Sequence, residues 1–189
     1  RFANVSFSNG SLLNAFLDRI ANGEPISAPS NIKRFFITHE EAARLCLLSA
    51  FKASKGTIAV PNASGEVELT SFVDVAKNLL DNEGIKPRIC SSEAEARSIN
   101  PTKDAWPCYF FESDTSGEKP FEEFSSSEEK FLDSPFEEIS LIKNAIKIDD
   151  KDLESILDID PVSLGKNLII ERISEIVPNF SHIEKGRNL

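Results

Sequence analysis

The sequence has 189 residues, of which 40% are apolar and 28% are charged, and its formal net charge is −10 with a pI near 4.8. A chain of this length and composition can bury a real core, which argues against disorder throughout. The acidic surface repels polyanions, so we expect neither nucleic acid nor an anionic membrane as a partner. The sequence shows no basic-then-apolar leader and no membrane-length apolar run, and we therefore expect a cytoplasmic protein.

Metal and disulfide chemistry find little support in the sequence. Cys46, Cys90 and Cys108 are odd in number, widely spaced and set among apolar residues, which predicts reduced thiols in the core. The only histidines are His39 and His182, and no CxxC pair occurs. We therefore expect no metal site.

The chain begins with a predicted strand and helix. Arg1 leads directly into the apolar run 1–7, which predicts a strand and indicates a start inside a longer polypeptide. After a turn at Asn9-Gly10, Ser11 is a helix cap and Gly23 is the stop. The apolar positions between them recur at helical spacing: Leu12, Leu13, Phe16, Leu17 and Ile20.

A second strand and helix follow. A short extended piece is bounded by Pro25 and Pro29, and the run Lys33 to Ile37 predicts a strand. Thr38 and Glu41 have the spacing of a capping box, which predicts that a helix begins there; Gly56 ends it.

The alternation continues through the middle of the chain. Thr57 to Val60 predicts a strand, and Ser71 with Asp74 predicts the start of a helix that Gly84 closes. Two further strands are predicted at Pro87 to Cys90 and at Trp106 to Phe111, the second of them buried. Strands alternating with helices are typical of an α/β fold.

The last third of the chain has a different character. Residues 112–138 hold ten acidic residues against two lysines, which indicates a solvated loop around 125–129 that phenylalanines pin to the core. Two helices are predicted after this loop, at Asp150 to Leu157 and at Pro161 to Val177, the second capped by Asp160.

Three distant polar groups stand next to predicted strands or turns. Asn4 ends the first strand before the helix that begins at Ser11, and a helix N-terminus with free N–H groups is an anion site. Arg34 offers a guanidinium fork that matches phosphate oxygens. Glu118, after Gly117, offers a carboxylate that could accept hydrogen bonds from ribose hydroxyls.

Each group also has a plain structural interpretation. Asn4 could satisfy a turn, and Ser11 could be a cap and nothing more. Arg34 could be a surface arginine paired with Glu40 or Glu41.

The sequence also lacks the motifs of redox and acyl-transfer catalysis. No GxGxxG loop or GxSxG elbow occurs, and Tyr109, the single tyrosine, is followed four positions later by Ser113 where a Tyr-x-x-x-Lys pair needs lysine. We therefore predict no catalytic residue in this chain and no activity of the chain by itself.

Several segments, taken in order, resemble one known family. They are Arg1 to Gly10 followed by Ser11-Leu12-Leu13, Lys33 to Thr38, Leu69 to Ala76 and Gly117 to Glu123. Together they resemble the C-terminal half of nucleotide-sugar dehydratases and epimerases of the extended short-chain dehydrogenase/reductase type. The most similar group is the polysaccharide-biosynthesis branch, which includes UDP-N-acetylglucosamine 4,6-dehydratases.

The resemblance implies a mechanism for the whole enzyme and a substrate-binding role for this chain. Such an enzyme binds NAD or NADP on an N-terminal Rossmann domain, oxidises C4 of the hexose, eliminates water across C5 and C6 and returns the hydride to C6. For this chain it implies substrate contacts: Asn4 and the segment Ser11, Leu12, Leu13 near the diphosphate or uracil, Arg34 on the diphosphate and Glu118 on the uridine ribose.

The expected architecture is α/β: a substrate-binding lobe with terminal strands of an incomplete Rossmann-like sheet over 1–145, and a helical C-terminal tail over 146–189. The expected function is UDP-sugar binding, of UDP-N-acetylglucosamine in the first place, within an NAD(P)-dependent 4,6-dehydratase for bacterial surface polysaccharides. The alternatives are the lobe of an epimerase and a stand-alone binding or oligomerisation module. We expect a homo-oligomer, because Phe2 to Phe7 and Thr57 to Val60 would lack sheet partners.

Overall fold

The computed structural model shows a mixed α/β chain, which confirms the predicted fold class. The residues that the structure describes are 1–61, 69–115, 118–126, 129–134, 136–137, 139–143, 151, 154, 157, 165–177 and 180–183. In chain order, their helices and strands are β1 (Asn4–Val5), α1 (Leu12–Ala21), β2 (Ile26–Pro29), β3 (Lys33–Arg34), β4 (Phe36–Ile37), α2 (His39–Lys52), β5 (Thr57–Pro61), β6 (Thr70–Ser71), α3 (Phe72–Asn82), β7 (Pro87–Cys90), α4 (Glu93–Ser98), β8 (Trp106–Phe111), β9 (Phe131–Leu132), β10 (Ile139–Lys143) and α5 (Gly165–Ile176).

A parallel sheet carries the main core. Its strand order is β2-β8-β7, and β8 is the central strand, parallel to both neighbours. Helices α1 and α3 contribute their apolar faces to the same core, where Phe16 of α1 and Leu80 of α3 are 1% and 0% exposed. Burying an aromatic or leucine side chain in this way stabilises the fold by about 1.5–3 kcal/mol for each residue.

The predicted strand Lys33 to Ile37 is two strands, which corrects the sequence analysis. β3 pairs antiparallel with β6, whereas β4 pairs parallel with β1. Between them lies Phe35, which is 8% exposed and stacks on Phe124 at 5.3 Å between ring centroids. The chain changes partners here, so Arg34 and Asn4 belong to two small sheets that meet at Phe35.

The strand predicted at Thr57 to Val60 is confirmed, but the expectation that it lacks a partner is wrong. The same expectation for Phe2 to Phe7 is wrong too, because β1 within that run pairs with β4. Strand β5 pairs antiparallel with β10, and β9 continues the sheet on the other side of β10. Ile139 and Ile142 of β10 are 1% and 0% exposed. This sheet therefore closes one edge that the sequence analysis left open.

The predicted helix starts are confirmed where they are described. Ser11 and Ser71 accept hydrogen bonds from the backbone N–H groups of Asn14 and Asp74. Thr38 and Glu41 form the complete capping box. Much of the helix predicted at 150–157, and the predicted cap Asp160 with Pro161, lie outside the described residues.

The described chain divides into two compact units. The first holds Arg1–Ser113 and Lys119–Asn144, and the second holds Asp114–Glu118 and Ala145–Leu189. In the second unit, α5 is an amphipathic helix over Gly165–Ile176. The predicted functional division at residue 145 stays a prediction.

The cysteines only partly follow the prediction. All three are free thiols, and Cys90 and Cys108 are buried as expected. Cys46 is exposed on α2, because that helix buries none of its residues. Within the described ranges, every helix is too short or too polar to span a lipid bilayer.

Candidate functional site

Asn4 is held where the first strand meets β4. Its backbone N–H donates to the Phe35 carbonyl at 3.0 Å, and its side-chain Nδ2 donates to the same carbonyl at 3.3 Å. Nδ2 also donates to Glu122 Oε2 at 3.1 Å. The asparagine amide is therefore fixed by partners from two other segments of the chain.

Arg34 is anchored by backbone carbonyls and by an aromatic ring. Its Nη1 donates to the Lys33 carbonyl at 2.8 Å and to the Lys119 carbonyl at 3.0 Å, and its Cζ lies 5.9 Å from the centre of the Phe72 ring. Two carbonyl oxygens and an aromatic ring therefore hold the guanidinium in a defined orientation. Glu41, one of the acidic partners considered above, is engaged by Thr38.

Glu122 links the two predicted binding residues and was missed by the sequence analysis. Burial raises the pKa of its carboxyl, whereas the Phe35 N–H, the Arg34 charge and the Asn4 amide each lower that pKa. Its neighbour Glu123 pairs with Lys119 at the surface. Since the sequence shows two adjacent glutamates of the same type, no sequence pattern distinguishes the half-buried one.

The start of α1 offers backbone donors. The cap uses the N–H of Asn14, at 3.3 Å from Ser11 Oγ, and the N–H of Ala15 donates to the Ser11 carbonyl at 2.9 Å. The side chains of Leu12 and Leu13 pack against the main core, in the cluster that also holds Phe72, the ring under Arg34. Because these leucine side chains are packed, they fix the orientation of the first turn of α1. The backbone N–H groups of that turn are the ones that could bind an anion.

Glu118 belongs to the second unit, where its backbone N–H donates to the Thr115 carbonyl at 3.3 Å. Its role on a ribose stays a prediction. The predicted roles of Asn4, Ser11, Leu12, Leu13 and Arg34 as ligand contacts stay predictions too.

Two further features of the described part of the chain bear on other kinds of site. No group of three or more histidine, cysteine, aspartate or glutamate residues there could hold a metal ion. A concavity of about 420 Å³ lies between α2 and β5, and its lining includes Leu45, Cys46, Val60 and Ile139. No predicted site residue lines this concavity, so it is separate from the Asn4–Arg34–Glu122 cluster.

The parallel sheet with its flanking helices makes this a partial Rossmann-like α/β protein. The family model for polysaccharide biosynthesis proteins matches residues 1–144, and the chain belongs to that family. The membership in polysaccharide biosynthesis that the resemblance implied is thereby confirmed.

Two known proteins show this similarity in more detail. The chain is 36% identical over 87 residues to the capsular polysaccharide biosynthesis protein CapD of Staphylococcus aureus, a match that covers 46% of this chain and 14% of CapD. Its fold is similar to the X-ray structure of Pen from Bacillus thuringiensis, with a TM-score of 0.56 and 19% identity over 78% of this chain and 39% of Pen. The chain thus spans well under two thirds of either relative.

Proposed function

We propose that this chain is the nucleotide-sugar-binding part of an NAD(P)-dependent UDP-sugar 4,6-dehydratase, with UDP-N-acetylglucosamine as substrate, in the synthesis of bacterial capsular polysaccharide. The observation that carries the proposal is the convergence of Asn4, Arg34 and Glu122 from three distant segments. Family membership and the similarity to CapD support the biosynthetic role.

In this proposal Arg34 and the start of α1 bind the diphosphate, and Glu118 binds the ribose. The Arg34 guanidinium pairs with the diphosphate, because its fork of donors fits two phosphate oxygens at once. The backbone of the first turn of α1, after Ser11, adds the positive end of a helix dipole to the same anion. Glu118 accepts hydrogen bonds from the ribose hydroxyls.

The residues of this chain do not fit a nicotinamide dinucleotide. The sequence lacks a glycine-rich loop that would let a backbone approach a pyrophosphate. No step of the reaction is therefore assigned to this chain. We expect that the chain by itself forms no product from UDP-N-acetylglucosamine and NADP, because it supplies neither a site for the dinucleotide nor the acid and base.

The proposed binding role is tested by comparing two arginines. Arg34→Ala should weaken UDP-N-acetylglucosamine binding roughly tenfold or more, since a charged hydrogen bond contributes about 1.5–3 kcal/mol. Arg44→Ala is the control, because Arg44 lies on the exposed side of α2 and carries the same charge. Isothermal titration calorimetry on the protein that carries this chain measures both affinities.

A second variant separates binding from folding. Arg34→Lys keeps the positive charge but loses the fork, so it should bind with an affinity between those of the wild type and Arg34→Ala. Thermal melts of all three variants check that the β3 segment remains folded. Equal affinities for Arg34→Ala and Arg44→Ala would remove Arg34 from the site.

A further inference from the structure

The side-chain amide of Asn4 has a defined orientation, because its two partners are both acceptors. Phe35 offers a backbone carbonyl at 3.3 Å, and Glu122 offers a carboxylate oxygen at 3.1 Å. An amide group facing a carbonyl and a carboxylate must present its NH₂ to them. Both N–H bonds are thereby used, and neither hydrogen bond involves Oδ1.

We infer that Glu122 is a positioning residue that turns Asn4 so that Oδ1, an acceptor, faces the ligand. This inference rests on the proposed function and deepens it. An acceptor oxygen binds N–H or O–H groups and is repelled by phosphate oxygens. Asn4 therefore recognises a hydroxyl or an amide N–H of the nucleotide sugar, and the diphosphate is left to Arg34. Of the two contacts that the sequence analysis allowed for Asn4, the diphosphate and the uracil, this assignment excludes the diphosphate.

Glu122 is suited to this role by its surroundings. Burial raises the pKa of its carboxyl, and this effect is opposed by the hydrogen bonds that it accepts from the Phe35 N–H and from Asn4 and by the charge of Arg34. An ionised carboxylate can accept from several donors, whereas a glutamine side chain has one oxygen and one NH₂ group. Glu122→Gln therefore puts an NH₂ group close to donors and loosens the orientation of Asn4.

The first experiment needs no ligand. The Asn4 side-chain NH₂ cross-peaks are identified in ¹⁵N–¹H spectra by their loss in Asn4→Ala. They should shift in Glu122→Gln and stay in place in Glu123→Gln, the adjacent change of the same charge. Unshifted Asn4 cross-peaks in Glu122→Gln would overturn the inference, whether or not the chain binds a nucleotide sugar.

The second experiment is a double-mutant cycle on UDP-N-acetylglucosamine affinity. Glu122→Gln and Asn4→Ala should each weaken binding roughly five- to tenfold, the effect of one hydrogen bond. In the Asn4→Ala background, Glu122→Gln should have less than about a twofold effect, because a residue that acts through Asn4 has nothing left to position. Glu122→Asp, which keeps the carboxylate, should recover part of the loss. An undiminished effect of Glu122→Gln in that background would overturn the positioning role.

Binding of inorganic diphosphate tests whether Asn4 donates a hydrogen bond to phosphate or only accepts hydrogen bonds. Its affinity should fall in Arg34→Ala and change less than about twofold in Asn4→Ala. A fall in both variants would mean that Asn4 donates to phosphate, which contradicts the inference and leaves the proposed binding function standing. Absence of any binding of UDP-N-acetylglucosamine to the wild type would instead contradict the proposed function, and the NMR result would still decide the orientation of Asn4.

Discussion

The three cysteines have the same chemistry but different surroundings. Cys46 is exposed on α2, whereas Cys90 and Cys108 are 4% and 0% exposed. Burial raises the pKa of the Cys108 thiol to about 12, so this side chain is uncharged at pH 8. Since the thiolate is the nucleophile, both burial and protonation protect Cys108.

We expect the thiol reagent DTNB, added at pH 8, to modify Cys46 rapidly and the other two slowly. Cys46→Ser should remove the fast phase, and unfolding in urea should make all three cysteines react. A fast phase that persists in Cys46→Ser would show that the core around Cys108 opens readily.

The hydrogen bonds of Glu129 make its contribution to stability depend on pH. Its two carboxylate oxygens accept from Arg1 Nη1 at 2.7 Å and Nη2 at 2.5 Å, and the Ser126 N–H donates at 2.8 Å. The Arg1 side chain and the Ser126 backbone lower the pKa of Glu129 from 4.5 to about 2. A group with a lowered folded-state pKa stabilises the fold above its unfolded pKa and loses that contribution as pH falls.

The unfolding free energy of the wild type should therefore exceed that of Glu129→Gln at pH 7, and the difference should shrink as the pH falls from 4.5 through about 2. Urea titrations at several pH values measure both proteins. Glu83→Gln, at the exposed end of α3, is the control for a lost surface charge. A difference that stays constant over this pH range would contradict the assignment.

At the scale of elements, α2 depends on its cap more than α3 does. None of its described residues is buried, whereas α3 buries four. Thr38→Ala removes the hydroxyl that accepts from the Glu41 N–H, leaves the bond from the Thr38 N–H to the Glu41 carboxylate, and should lower the unfolding free energy by about 1 kcal/mol. Thr38→Ser, which keeps the hydroxyl, should lie close to the wild type in urea unfolding. Equal losses for the alanine and serine variants would mean that the methyl group of Thr38, and not its hydroxyl, matters.

Local signals explain which elements the sequence predicts. The caps at Ser11, Thr38 and Ser71 involve partners three residues away, so short windows of sequence contain them. Helix α4 was missed although Ser92 and Glu95 have the same spacing, and Ser92 Oγ accepts from the Glu95 N–H at 3.1 Å. That helix is short and has little apolar periodicity, which is the signal the prediction relied on.

Long-range pairing explains what the sequence does not predict. The division of Lys33 to Ile37 depends on β6 and β1, which lie on either side of it in the chain. Glu122 is 118 positions from Asn4, the residue that it holds. Such partners are selected by packing of the whole fold, and a single sequence carries no pattern for them. The sequence analysis therefore named Asn4 and Arg34 but not Glu122, the carboxylate that interacts with both.

At the scale of the whole molecule, a buried and an exposed leucine should contribute differently to the unfolding free energy. Leu80 of α3 is 0% exposed in the main core, and Leu47 of α2 is 59% exposed. Leu80→Ala should cost about 2–5 kcal/mol, since it removes buried methyl groups and leaves a cavity. Leu47→Ala should change the unfolding free energy by less than about 0.5 kcal/mol. Urea unfolding of both variants checks this, and similar losses would mean that α2 is covered in solution.

Such a cover would come from a second copy of the chain. The sequence analysis expects a homo-oligomer, but through strand edges and not through α2. Leu47 and Phe51 lie one helical turn apart on α2 and are 59% and 78% exposed, and an apolar helix face of this kind favours association. The formal net charge of −10 opposes it, so added salt should strengthen association by screening the repulsion.

Light scattering over a concentration series should show a mass above that of one chain, rising with NaCl. Leu47→Glu with Phe51→Glu should return the protein to a single chain, whereas Ile89→Glu, at a side chain 56% exposed on β7, should not. A mass of one chain for the wild type at every protein and salt concentration would contradict self-association through α2.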